Sequence, residues 1–200
     1  HGAVGPSKDC AYEGPVLKAI TGCPISMEGK SATCAHFSPI GNISAAMCDL
    51  WSNESVQNIR LLSGMAPEAY LELLTYDCRL FNQALKTGNA QALQKLFVDS
   101  DAYTSPQALV LTPESTIRIA HAIVNARDDY GRTRAAAHEA WKIIDEAAHA
   151  GRMKLLPSEK RWMERMNGEF ATLVNDEAQF TDLMSSKYKD LILPESYGLE

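Results

Sequence analysis

The chain has no apolar run approaching the ~20 residues a helix needs to cross a bilayer. Its first residues, His1-Gly2-Ala3-Val4-Gly5-Pro6, hold no apolar signal core. If the protein is exported, its leader has already been removed, and His1 is a mature end or an expression scar. The chain also lacks basic excess: formal net charge is −6 and the sequence pI is near 5.4. That argues against a general nucleic-acid binder and disfavours a generic binder of anionic membranes. There is no Gly-x-Ser-x-Gly elbow, phosphate loop or dinucleotide fingerprint. No internal repeat or low-complexity tract is present. Strand-like alternation is scarce, and Ala108-Leu109-Val110-Leu111 is too short and isolated to build a sheet.

What is present begins with five cysteines, four of them in the first quarter: Cys10, Cys23, Cys34 and Cys48, followed by Cys78. A chain of 200 residues buries roughly 70% of its unfolded surface, so it needs no staples to sustain a core. Disulfides would instead hold a segment poor in regular structure. The favoured reading pairs the first four cysteines into two bonds, in one of three ways. Each would contribute about 2–4 kcal/mol. Cys78 then stays a buried thiol, or takes one of the four and ties the segments together. A zinc site from Cys23, Cys34, His36 and Cys48 competes, but the closely spaced cysteine pair of structural zinc sites is missing. Fully reduced thiols are the third reading. Two sequons, Asn42-Ile43-Ser44 and Asn53-Glu54-Ser55, add weak support for secretion.

Composition shifts near Gly64. Residues 1–65 hold seven of the 12 glycines, four of the nine prolines and four of the five cysteines. From Pro67 onward helix signals recur. Pro67 to Lys86 reads as one helix with Tyr70, Leu74, Cys78, Phe81 and Leu85 on one face, and Ala90 to about Val98 as the next, capped by Asn89. A short turn is expected around Ser105-Pro106. Thr112-Pro113-Glu114 opens another helix, which Gly131 ends or kinks. Thr133 begins the following one, with Trp141, Ile144 and Ala148 in a stripe. Pro157 opens a long helix carrying Trp162, Met166, Phe170 and Leu173, and a break near Asn175-Asp176 precedes the last helix. The expected fold is all-α: five to six amphipathic helices in a bundle-like domain, with a loop-rich, disulfide-linked N-terminal cap. The expected domains are 1–65 for the cap, 66–193 for the helices and 194–200 for a loose tail.

Other candidate chemistry is thin. His138, Asp145 and His149 share one helix, and His121 or Asp128 lies within reach of completing a metal set, but Asp-x-x-x-His alone is a common spacing. Copper at His1, or a soft metal at Met163 and Met166, has no further ligands in its support. The paired carboxylates Asp128-Asp129 and Asp145-Glu146 are sequence neighbours, which do not face each other on a helix. No metal site, cofactor or catalytic residue is assigned. The densest charged stretch, Arg127 to Arg134, joins two helices. Its Arg127, Tyr130, Arg132 and Arg134, together with His36 and Phe37, are the candidate binding residues.

The sequence leans away from an enzyme. The favoured function is a secreted, periplasmic or cell-surface binding protein of the effector, adhesin or inhibitor type. It would have a protein or cell-surface partner, with no nucleic acid and no membrane span. The alternative is an exported helical hydrolase or lytic enzyme whose carboxylates come from separate helices. An intracellular helical module with reduced cysteines is the third reading.

Overall fold

A computed structural model describes residues 13–31, 39–55, 67–191 and 193–198. In these residues the protein is helical, with no strand beyond an isolated bridge at Met27. Helices α1 (Gly14–Thr21) and α2 (Asn42–Leu50) lie within the region expected to be loop-rich. They are followed by α3 (Pro67–Lys86), α4 (Ala90–Asp101), α5 (Pro106–Val110) and α6 (Pro113–Val124). Then come α7 (Asp129–His149), α8 (Pro157–Thr172), α9 (Glu177–Lys187) and a 3-10 turn at Pro194–Tyr197.

The helix starts follow from capping chemistry. Thr112 and Asp176 accept backbone N–H groups of Ser115 and Gln179, satisfying donors that have no partner within the first turn. Asp128 does the same for Gly131 at 2.6 Å. Gly131 therefore sits in the first turn of α7 and does not end the helix before it, which stops at Val124. Ser105 accepts from Ala108 N and donates to Pro39 O, so the Ala108–Leu111 run closes into a short helix. Gly41 has φ +83°, and a Cβ there would lie 3.0 Å from the Cβ of Ala108, so α2 enters against α5 only with glycine.

Two apolar clusters form the interior. Leu109, Ile119, Ile143, Ala147, Met153 and Leu155 make the first, where α5, α6 and α7 meet. Met27, Ile40, Cys48 and Leu111 make the second. Leu109 and Leu111 belong to different clusters, and Val110 packs on both, so the α5–α6 link joins the two. Each large aliphatic side chain buried here contributes about 1.5–3 kcal/mol. On α7 the buried positions are Ile143 and Ala147, one residue before the Ile144 and Ala148 of the expected stripe. Trp162 is exposed on α8, and Met163 faces the core in its place.

The disulfide-linked cap is not found. No disulfide occurs among the described residues. Cys48 is buried in the second cluster, Cys78 is half-buried on α3, and Cys23 is exposed after α1, where its neighbours are Thr21 and Gly22. An inward apolar setting is a common fate of a cysteine thiol. Cys10 and Cys34 lie outside the described residues. No helix among the described residues is long and apolar enough to cross a membrane.

Candidate functional site

The most unusual chemistry in the fold is a buried knot of charge. The segment Ile25–Lys30 runs beside the end of α2, held by Met27 N to Trp51 O, Ile25 N to Glu54 Oε2 and a Ser26–Ser55 hydroxyl contact. This brings Lys30 to Asp49 on α2 and Asp77 on α3. Lys30 N donates to Asp49 Oδ1 at 2.8 Å, and Lys30 Nζ lies 2.5 Å from Asp77 Oδ2 and 3.7 Å from Asp49 Oδ2. Asp49 is only 3% exposed. Burial pushes its carboxyl up to about 6, opposed by the N–H and ammonium of Lys30 and reinforced by Asp77. The same burial, together with Asp49 and Asp77, raises the Cys78 thiol above its ordinary value. Gly29 keeps the segment close, since a Cβ there would stand 3.2 Å from Asp49 Oδ1. Near neutrality the knot can hold or release a proton while one ammonium faces two carboxyl groups.

A second charged arrangement joins α6 to α7. Arg118 donates to Glu139 and Glu146 at 2.7–3.0 Å. The hydrogen bond to Glu146 does most to raise the guanidinium above its ordinary range, and the same contact holds Glu146 low. Arg118 lines a cavity of about 290 Å3 together with Tyr103, Thr112 and Arg152. Arg152 donates to the Tyr103 hydroxyl and stacks on its ring.

The residues singled out from the sequence are dispersed. His36 and Phe37 lie outside the described residues. Tyr130 is turned inward: its hydroxyl donates to Val174 O at 2.8 Å and its ring packs on Phe180. Arg134 lies over the Tyr130 ring and lines an open cleft of about 510 Å3 with His138, Asn167 and Phe170. Arg132 pairs with Asp129, and Arg127 is exposed. His149 contacts Asp145 at 3.2 Å, whereas His138 is sandwiched between Trp141 and Phe170. Among the described residues no group of three or more His, Cys, Asp or Glu side chains gathers to hold a metal. The zinc set expected from Cys23, Cys34, His36 and Cys48 is described only at Cys23 and Cys48, one exposed and one buried. Sequence reasoning missed Asp49, Asp77 and Lys30. They are 19 to 47 residues from one another in the relevant contacts, and no local spacing marks them.

The sequence profile of the methanol-cobalamin methyltransferase B subunit, MtaB, matches residues 1–198. The chain belongs to this family. It is 41% identical over 201 residues to a methanol–corrinoid protein co-methyltransferase of Methanosarcina barkeri, covering 98% of this chain. The methanol:cobalamin methyltransferase complex MtaBC of Methanosarcina barkeri contains a chain that superposes with a TM-score of 0.79 at 40% identity, over 99% of this chain. The present chain spans 43% of the first relative's length and 44% of that solved chain.

Membership in the MtaB family overturns the secreted, periplasmic or cell-surface binding protein expected from the sequence, and the exported hydrolase with it. The effector, adhesin and inhibitor readings fall for the same reason. Their physical basis fails as well: the cysteines they rested on form no disulfide among the described residues. Ser44 of the first sequon is 1% exposed in the interior of the fold, and Asn42 Nδ2 bonds to Ser100.

Proposed function

We propose that this protein works in a methanol-dependent methyltransferase, passing the methyl group of methanol to a corrinoid carried by a protein partner. The observation that carries this reading is the family match across residues 1–198, supported by the 41% identity to the methanol–corrinoid protein co-methyltransferase. The transfer breaks the C–O bond of methanol and forms a bond from carbon to the corrinoid metal. The electron pair for the new bond comes from the reduced corrinoid. The departing oxygen leaves with the C–O pair and has to gain a proton or an equivalent electrophile. Hydroxide alone is too poor a leaving group.

On this reading the Lys30–Asp49–Asp77 knot is a positioning device. It fixes the Ile25–Lys30 segment to α2 and α3 through contacts of 2.5–3.7 Å. The packing of α6, α7 and α8 is proposed as a bundle-like support within residues 66–193, joined to the segment 1–65 through α1 against α6 and α2 against α3 and α4. Residues 194–200 are proposed as its end segment. Arg127 and Arg132, both exposed, are proposed contacts with the corrinoid protein, as are His36 and Phe37.

The test uses the complete gene product with methanol and reduced cobalamin, followed by visible absorbance. Methanol-dependent conversion to the methylated corrinoid supports the reading. An unchanged spectrum with both free cobalamin and the corrinoid protein overturns it.

A further inference from the structure

Between α1, α2 and α6 lies a hollow of about 270 Å3 whose walls are largely apolar. Ile43, Met47 and Trp51 come from α2 and the turn after it, Ile117 from α6, and Pro15 and Ala19 from α1. Four polar residues interrupt the apolar lining: Lys18 and the exposed Gln94, and the buried Ser44 and Thr116. Ser44 is 1% exposed and Thr116 is 5% exposed, and neither hydroxyl has a hydrogen-bond partner among the described residues. Buried hydroxyls left unbonded are destabilising, and nearly all buried polar groups in folded proteins are satisfied. Two such groups in the walls of one hollow therefore point to a bound polar group. Beyond these two hydroxyls the polar lining is Lys18 and the exposed Gln94, so a water at the buried pair would face apolar walls on its other sides and fall short of the roughly three hydrogen bonds a buried water usually makes. The Lys18 ammonium at the rim is already taken by Glu54 and the Trp51 ring.

We propose that this hollow binds a small uncharged molecule with an apolar body of several carbons and one hydroxyl or carbonyl group. The body would pack on Ile43, Met47, Trp51 and Ile117, and the oxygen would meet the Ser44 and Thr116 hydroxyls. A net charge on the ligand is disfavoured because the one charged lining residue, Lys18, is already paired with Glu54 and leaves no free opposite charge to offset its desolvation. The site is separate from the Lys30–Asp49–Asp77 knot, and the inference stands whether or not the methyltransferase reading does.

The probe is 1-butanol, titrated into the complete gene product with methyl-labelled Ile, Met and Thr residues observed by NMR. A saturable shift confined to Ile43, Met47, Thr116 and Ile117 is expected. Thr116→Val keeps the shape and removes the hydroxyl. It should weaken butanol binding roughly fivefold to tenfold while leaving thermal stability equal or raised, since it removes an unbonded group. Ser44→Ala should act in the same direction. 1-Chlorobutane, which keeps the chain and lacks the hydroxyl, should bind the native protein more weakly than butanol and Thr116→Val about as well as the native protein. A shift that never saturates overturns the proposal. So does equal butanol affinity in both variants and the native protein, which would leave the hydroxyls to water alone.

Discussion

Asp49 concentrates the tension in this fold. It is buried beside a second carboxylate, and the nearby ammonium of Lys30 lies closer to Asp77 than to Asp49. Its pKa is raised from 3.8 to about 6, so the folded state holds the proton more tightly than the unfolded chain does. The stability this confers is fully present below about pH 4 and is lost as pH rises through about 6. Asp49→Asn removes that loss and keeps an oxygen for Lys30 N. The melting temperature of Asp49→Asn minus that of the native protein should therefore be more positive at neutral pH than near pH 4. A difference that does not change with pH would contradict the raised pKa. Lys30→Ala leaves two neighbouring carboxyl groups without their cation. It should destabilise by about 2–3 kcal/mol, discounted from fully buried pairs because Lys30 is partly exposed. The loss in denaturant unfolding should be larger above pH 6 than below it.

At the scale of elements, side chains at helix ends and crossings decide how the helices join. Arg118 on α6 spans Glu139 and Glu146 on α7, so Arg118→Met should weaken this join by about 1 kcal/mol, because the pairs are partly open to solvent. High salt should shrink the difference in unfolding free energy between Arg118→Met and the native protein. Tyr130→Phe deletes the bond to Val174 O while keeping the ring on Phe180. A loss of about 1 kcal/mol is expected, with faster amide exchange in α9, which carries no fully buried residue. The long helices were legible in the sequence because their signals are local. Pro67–Lys86 has the expected bounds, and Thr112-Pro113, Pro157 and Asp176 open helices where cap chemistry puts them. The start of α7 was misplaced because Gly131 reads as a terminator, while the Asp128 cap that admits it to the first turn lies three residues earlier. Helix α2 was missed for a related reason. Its entry depends on Gly41 fitting against Ala108, a contact 67 residues away in the chain. The Lys30–Asp49–Asp77 knot was illegible for the same cause, since only folding brings its members together.

For the whole molecule, cysteine placement led the sequence reading toward an oxidising compartment, and the family match reverses that conclusion. Cysteine count alone does not separate a cross-linked surface from thiols held in a core: Cys48 is wholly buried beside Met27, Ile40 and Leu111. Leu73, Tyr76 and Leu80 lie 40–55% exposed on α3, a broad apolar surface on a chain that spans less than half of its relatives' length. The central claim is methyl transfer from methanol, and isotope tracing tests it most directly. The complete gene product is incubated with 13C-methanol and the reduced corrinoid protein, and the corrinoid is analysed by mass spectrometry. A methylated corrinoid carrying the heavy carbon, formed only when this protein is present, is the expected result. A corrinoid that stays unmethylated, or gains only unlabelled methyl groups, would contradict the account.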